Sequence, residues 1–384
     1  MSRSILIRII AGGIYLLRRS SLRDSNARFL VFTGTSGKTL ARSAVSYALR
    51  KTNHTVISPP YGYTNELGIV LAALGIESVH LFSWSGLRRV ITGHAPPDAY
   101  ICIEIGADWR EDTDWFLKRF QPYGVCITDV SKKEWTYTLS TIWNAKEKLI
   151  ACVPQSGFVC WSAKNESIER IREMRFSDTR IQAEISSFAT GGDDSFTYIE
   201  GGRDHVFRSR LAGYMPYTEA FGFAIETLKI LDNVPAETTF FTDYEPPQER
   251  LAKTTLRSGA RLIHDTYKAI PQCMDYVLNL ALEKPAKKRI AVVSAMHPLF
   301  CNREAHYARM CERLALFDRV YVIGPPHVCA FIKKGLPDAR VIGRMEEYAR
   351  VADELETQID QGTIVVIKGA GRYQLKRLVA QLCS

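Results

Sequence analysis

Thr33-Gly34-Thr35-Ser36-Gly37-Lys38-Thr39 lies between the apolar run Phe29-Leu30-Val31-Phe32 and a segment in which Leu40, Ala44, Val45, Ala48 and Leu49 recur at helical spacing. This order predicts a strand, a glycine-rich turn and a helix. Such a turn aims backbone N–H groups and the positive end of the helix dipole at an anion. Lys38 has the reach for terminal phosphates, and the Thr39 hydroxyl suits Mg²⁺. Gly34, Thr35, Ser36, Gly37, Lys38 and Thr39 are therefore expected to hold a nucleoside triphosphate. The full phosphate-loop pattern has a glycine five residues before Gly37, where this chain has Phe32. A chance turn is the competing reading, and the strand–loop–helix context speaks against it.

Composition bounds the rest. A chain of 384 residues with 46% hydrophobic content has room for two or three domains with ordinary cores. A net charge of +9 suits an anionic ligand. The Lys and Arg residues are scattered, so the charge does not by itself argue for nucleic acid, and no nucleic-acid partner is expected. The densest cluster, Lys284 to Arg289, reads as a solvated loop before a strand. Nine cysteines occur without a C-x-x-C pair. Cys102 and Cys126 sit in apolar strands as small hydrophobes. An odd count fits a reducing, cytoplasmic setting better than a disulfide framework.

Ile5 to Leu17 is apolar but interrupted by Arg8, and Arg18-Arg19 follow. The stretch is short for a membrane span of about 20 residues. A helix packed on the first domain is the expectation for residues 1–27. An interfacial membrane helix with basic flanks is the alternative.

Residues 28–240 alternate strands and helices around the loop. Strands are expected at Ala99 to Ile105, Gly124 to Val130 and Phe158 to Trp161, with helices at Trp143 to Ile150 and Leu211 to Leu231. Ile181 to Ile199 reads as β-rich. Pro246-Pro247 marks a linker. Residues 241–384 repeat the alternation, with apolar runs at Arg261–Ile263, Arg289–Val293, Arg319–Ile323, Arg340–Ile342 and Thr363–Ile367. The fold class is α/β, with two mostly parallel sheets covered on both faces. Glu104 ends an apolar strand, where phosphate-loop proteins place the acid that holds Mg²⁺.

These segments together resemble the Mur ligase family, most of all the type that adds D-alanyl-D-alanine to a muramoyl peptide. Thr33 to Thr39 is similar to that family's short phosphate loop. Thr64-Asn65-Glu66-Leu67-Gly68 resembles its Asn-Asn-x-Ile-Gly segment, and Ile103-Glu104-Ile105-Gly106 its magnesium-binding Glu-Met-Gly. Pro122 through Ile127-Thr128-Asp129 resembles its Pro-x-x-x-x-Ile-Thr-Asn strand. Asn144-Ala145-Lys146 resembles the segment whose lysine is carbamylated in many members. His264-Asp265-Thr266-Tyr267-Lys268-Ala269-Ile270-Pro271 is similar to its Asp-Ser-Tyr-Asn-Ala-Asn-Pro, and Ile367-Lys368-Gly369-Ala370 to its Val-Lys-Gly-Ser.

The resemblance implies a central ATPase domain, a C-terminal Rossmann-like domain and an active site in the cleft between them. It implies a reaction in which a carboxylate takes the γ-phosphate of ATP and an amine then displaces phosphate. Lys38, Thr39 and Glu104 would serve phosphoryl transfer with Mg²⁺, and Lys146 would help hold a second ion. Arg250 matches an arginine before the second domain, and Asp265 an acid that contacts ribose or linker. Asn65, Tyr267 and Lys368 are candidate substrate contacts. For Lys146 a surface helix lysine, for Asp265 a helix N-cap and for Arg250 a linker charge are the competing readings.

Departures from the family narrow the expectation. Glu134 stands where a metal-binding histidine is expected, as a ligand of its own or a partner of unmodified Lys146. Ser209 stands where an asparagine usually contacts adenine. Lys268 and Ile270 replace two asparagines, and Ser294-Ala295-Met296-His297 lacks the acid of Gly-Asp-Met. Only about 27 residues precede the first strand, too few for a domain binding a uridine nucleotide. An amino acid, peptide or other small carboxylate in a specialised pathway is therefore expected as substrate. Two other classes stand beside this one: the ATPase subunit of a partner-dependent amidotransferase, and a non-catalytic nucleotide-binding relative.

Overall fold

The computed structural model describes residues 3–59, 65–76, 83–106, 110–130, 139–163, 181–185, 188–190, 195–200, 203–212, 214–231, 237–247, 249–297, 299 and 302–384. The chain divides at Glu245/Pro246 into two compact units, so the break coincides with the Pro246-Pro247 linker.

The first unit opens with α1 (Arg3–Asp24), β1 (Arg28–Thr33), α2 (Lys38–Lys51), β2 (Val56–Ile57), α3 (Glu66–Ala73), α4 (Trp84–Thr92) and β3 (Tyr100–Glu104). It continues with α5 (Arg110–Leu117), β4 (Pro122–Ile127), α6 (Leu139–Ala151), β5 (Phe158–Ser162) and β6 (Ile181–Ile185). These six strands form one sheet in the order β2-β3-β1-β4-β5-β6, parallel throughout. A small antiparallel sheet of β7 (Phe188–Thr190), β8 (Ser195–Glu200) and β9 (Arg203–Arg208) follows, then α7 (Met215–Ile230).

Near-continuous apolar strands are what a sheet buried on both faces requires. Phe29, Val31, Ile101, Ile103, Val125 and Ile127 face a core shared with α3, α5 and α6. The alternate residues Leu30, Cys102, Cys126 and Cys160 are also fully buried, on the face that α2 and α7 cover together. Burial pushes the Cys126 and Cys160 thiols well above the ordinary range, so they act as hydrophobes.

The helix read from residues 5–17 extends over the whole of α1 and packs on this unit. Ala11 is fully buried, and Ile14, Tyr15 and Leu22 join the same core. Arg8 Nε lies 2.5 Å from Glu66 Oε1, and Arg18 donates to the Gly93 carbonyl at 2.7 Å.

The second unit contains β10 (Ala252–Thr255), β11 (Arg261–Asp265), α8 (Pro271–Glu283), β12 (Lys288–Ser294), α9 (Arg303–Leu314) and β13 (Arg319–Ile323). After these come α10 (Pro326–Gly335), β14 (Arg340–Val341), α11 (Tyr348–Glu356), β15 (Thr363–Lys368) and α12 (Lys376–Cys383). The sheet order is β10-β11-β15-β12-β13-β14, with β10 alone antiparallel. Leu262, Ile290, Val292, Val365 and Ile367 meet α11 and α12 on one face. The helices α8, α9 and α10 pack against one another as a separate layer. The five apolar runs expected here are β11 to β15. The expected strand from Gly124 starts instead at Pro122, and the expected helix from Leu211 starts at Met215, with Pro216 in its first turn.

Phe116 is fully buried between Phe29 and Phe120, with ring centroids 5.7 and 5.8 Å away. Phe116→Ala is expected to destabilise the first unit by about 3–5 kcal/mol, read from its chemical denaturation transition.

Candidate nucleotide site

The site in the first unit follows from strand order. β1 lies between β3 and β4, and its connection through α2 runs on the opposite face from α5 and α6. Neighbouring strands whose connections leave to opposite faces open a crevice at their carboxyl ends, where α/β sheets bind ligands. The Thr33–Thr39 loop leaves β1 at that point, and Glu104 ends β3 beside it, with Phe32 and Glu104 in register.

The loop is built against the end of β4. Gly34 has φ +144° and Gly37 φ +82°, conformations that glycine adopts without strain. A Cβ on Gly34 would stand 2.1 Å from Thr128 Oγ1 and 2.8 Å from the Asp129 carbonyl oxygen. Thr35 N donates to that carbonyl at 2.5 Å, and Ser36 Oγ donates to Asp129 Oδ2 at 3.0 Å. Thr128 Oγ1 in turn donates to the Ser36 carbonyl. The Ile127-Thr128-Asp129 segment is thus the wall that shapes the loop.

Lys38 Nζ donates to the Gly34 carbonyl at 2.6 Å, so its ammonium sits over the loop. Thr39 Oγ1 donates to Glu104 Oε2 at 3.1 Å. Glu104 Oε1 accepts from Arg42 Nε at 2.9 Å, and Arg42 is buried and also donates to Ser58 Oγ and the Pro59 carbonyl. Arg42 therefore orients the carboxylate so that its other oxygen faces Thr39. The sequence reading passed over this arginine, although it lies one helical turn beyond Lys38 and Thr39 on the same helix.

Lys146 is fully buried on α6, with Nζ 3.5 Å from the Gly106 carbonyl, two residues beyond Glu104. The surface-lysine reading is thereby excluded. Asn65 caps α3, accepting from Gly68 N at 2.9 Å. Ser209 is buried, and its hydroxyl accepts from Leu211 N at 3.3 Å. Glu134 and Thr64 lie outside the described residues.

The oxygen pair of Thr39 and Glu104 fits Mg²⁺, which takes one or two protein oxygens and completes its shell with phosphate and water. No group of three or more His, Cys, Asp or Glu side chains suited to a metal occurs among the described residues, so a protein-only cage is absent from them.

A second polar cluster forms at the carboxyl ends of β11, β12 and β15 in the second unit. Asp265 and Lys368 are register partners, with Lys368 Nζ 3.0 Å from Asp265 Oδ2. Lys368 is fully buried and also donates to the Lys268 carbonyl. Asp265 therefore pairs across the sheet, and the residue at the N-cap of α8 is Ile270. Asp265 Oδ1 is buried with no partner among the described residues. The Arg250 guanidinium lies 3.9 Å from the centre of the Tyr267 ring, a cation–π contact. The His297 pKa is lowered by burial and by the nearby cations Arg372, Lys268 and Lys368. A neutral imidazole among three cations makes this edge attractive to an anion.

Residues 249–371 match the family model for the Mur ligase glutamate ligase domain. The fold is similar to the crystal structure of MurF ligase from Thermotoga maritima in complex with ADP, with a TM-score of 0.77. The second unit is thus similar to the Mur ligase glutamate ligase domain, and the fold as a whole is shared with MurF.

That superposition covers 97% of this chain and 83% of the other at 16% identity, so it speaks for a shared fold. Among curated relatives, a UDP-N-acetylmuramoyl-tripeptide–D-alanyl-D-alanine ligase of Treponema pallidum is 33% identical over 118 residues, 30% of this chain and 26% of the relative. A ligase of the same name from Buchnera aphidicola is 23% identical over 297 residues, 74% of this chain and 60% of the relative. The chain thus spans less than two thirds of either curated relative.

Gly34→Ala is expected to lower the thermal midpoint and weaken Mg–ATP binding at least about tenfold, because the added Cβ meets Thr128 and the φ is disfavoured. Ser36→Ala removes one hydrogen bond and should cost about 1 kcal/mol. Calorimetry and titration on both variants check this.

A pH effect follows in the second unit. Burial lowers the pKa of both His264 and His297, so the unfolded chain binds more protons as pH falls below about 6.5. Stability is then full above that value and lost as pH drops through it toward the folded pKa values. The thermal midpoint should fall from neutral pH to pH ~5, and more shallowly in the His264→Gln/His297→Gln variant. An unchanged slope would remove the histidines as the cause.

Proposed function

We propose that this chain is an ATP-dependent, ADP-forming ligase that joins a carboxylate to an amine through an acyl phosphate. The observation that carries the reading is the arrangement at the end of β1 and β3. Lys38 lies over a left-handed glycine loop, and Thr39 Oγ1 is 3.1 Å from a carboxylate that a buried arginine orients. This arrangement supports phosphoryl transfer, where catalysis is largely positioning and charge neutralisation. Similarity of residues 249–371 to the Mur ligase glutamate ligase domain, with the MurF-like fold, supports reading the phosphoryl acceptor as a carboxylate.

The chemistry needs such activation. A carboxylate is a poor electrophile because its leaving group would be oxide. Transfer of the γ-phosphoryl group onto one carboxylate oxygen makes an acyl phosphate and ADP. Attack by an amine on the acyl carbon then breaks the C–O bond and releases phosphate. Mg²⁺, held through Thr39 and Glu104, would neutralise phosphate charge. Lys146, as a carbamate, and Glu134 are proposed for a second ion. The buried Lys146 ammonium beside the Gly106 carbonyl supports its place near Glu104.

The proposed acid is an amino acid, a peptide or another small carboxylate, in a specialised biosynthetic pathway. In the second unit, Lys368, Tyr267, Asp265 and Arg250 are proposed to contact substrate or nucleotide, and their clustering at the carboxyl ends of β11 and β15 supports this. Asn65 and Ser209 are retained as weaker candidates. Each already satisfies a backbone N–H of its own segment.

The test incubates the protein with Mg–ATP, hydroxylamine and a panel of amino acids and small peptides. Hydroxamate with ADP and phosphate is expected; AMP with pyrophosphate would overturn the mechanism. Lys38→Ala and Glu104→Gln should each lower turnover on the order of 10²-fold or more while the fold persists by circular dichroism. Glu134→Ala should also lose turnover, and full activity in that variant would remove Glu134 from the site.

A further inference from the structure

Large apolar side chains exposed to solvent are concentrated on two helices. Eight of the fourteen among the described residues belong to α1 and α4. On α1 they are Leu6, Ile9, Ile10, Leu16 and Leu17, with Leu16 70% and Leu17 83% exposed. Together with exposed Gly13, these positions fall at the spacing of one helical face. It is the face away from the protein, because Ala11, Ile14, Tyr15 and Leu22 on the other side are packed into the core. The helix thus has two apolar faces, and only the inner one is explained by the fold.

On α4, Trp84, Leu87 and Ile91 are exposed at the same kind of spacing, and Trp84 is 88% exposed. Gly86 and Val90 form its inner side. The Arg18 hydrogen bond to the carbonyl of Gly93, just beyond α4, joins the C-terminal half of α1 to the end of α4.

Charge says what the outer faces meet. The charged residues of α1 are five arginines and one aspartate, Asp24, in its last turn. α4 carries Arg88 and Arg89, both exposed, and no acid. Arg8 and Arg18 are engaged by Glu66 and the Gly93 carbonyl, and exposed Arg19 follows the most exposed leucines. An apolar stripe flanked by arginines, with an exposed tryptophan, matches the boundary between acyl chains and anionic headgroups. A two-fold contact with a second copy would set these arginines against one another.

We infer that α1 and α4 form a peripheral membrane-binding surface that lies on an anionic lipid bilayer. The mode is monotopic. No helix among the described residues is long and apolar enough to cross a membrane, and the inner face of α1 is committed to the core. Each leucine on the outer stripe transfers apolar area from water into the acyl boundary, while the exposed Arg19, Arg88 and Arg89 are placed to meet lipid phosphates. The surface lies on residues outside the candidate nucleotide site, so it stands or falls independently of the ligase reading.

The test is flotation of the full chain with vesicles of phosphatidylcholine alone and with about 30% phosphatidylglycerol. Binding to the anionic vesicles is expected, weakened at high salt by screening of the arginines. Leu16→Glu/Leu17→Glu should reduce binding at least about tenfold, and Trp84→Ser or Arg88→Glu should weaken it, without changing the thermal midpoint. Absence of binding to anionic vesicles would overturn the inference. So would equal binding by the Leu16→Glu/Leu17→Glu variant. Self-association in sedimentation that this variant abolishes, with no vesicle binding, would make the surface a protein interface instead.

Discussion

The turn from Gly34 to Gly37 runs through left-handed backbone because the end of β4 presses on it. Thr128 and Asp129 occupy the space a side chain at Gly34 would need, and they take up the loop's own N–H and hydroxyl groups. That contact exists only if β1 and β4 are neighbours in register, which in turn needs α2 to cross on one face of the sheet and α5 and α6 on the other. Lys38 and Thr39 then emerge at the first turn of α2, where the helix dipole adds to their attraction for an anion.

Glu104 shows how a mostly buried carboxylate is compensated and aimed. Its side chain is largely withdrawn from water and would be costly there alone. Arg42 compensates one oxygen and is itself held by Ser58 and Pro59. The other oxygen is left to Thr39. A chain of this kind, from β2's end through α2 to β3, ties a metal-compatible carboxylate to the rigid centre of the sheet. The same principle recurs in the second unit, where buried Lys368 is compensated by Asp265 on the adjacent strand. Both pairs sit at carboxyl ends of parallel strands, where connections diverge and a ligand has room.

The N-terminal helix joins these themes to the surface. Its inner face extends the core of the first unit, and Arg8 reaches buried Glu66 at the start of α3, a helix that also contributes to that core. Its outer face repeats the apolar spacing with no protein against it among the described residues. The 22-residue amphipathic pattern is consequently ambiguous when read by itself: a single stripe would suffice for packing, and two stripes imply a second apolar environment.

The sequence by itself determined the α/β class, most of the strands near their observed places, the glycine turn between β1 and α2 with the acid that ends β3, and the proline pair at Pro246-Pro247 where the chain divides. These are local signals: a period of 2 or 3.6, a glycine where φ is positive, a proline where a segment breaks. Only the tertiary structure decided that Arg42 holds Glu104, that Asp129 shapes the loop, that Lys146 is buried beside Gly106, and that Asp265 faces Lys368. Those pairs are separated by 62, 93, 40 and 103 positions, if each is measured between Arg42 and Glu104, Ser36 and Asp129, Gly106 and Lys146, and Asp265 and Lys368. Nothing in a local period encodes which strands lie side by side, and it is strand order and register that bring such distant side chains to one end of a sheet.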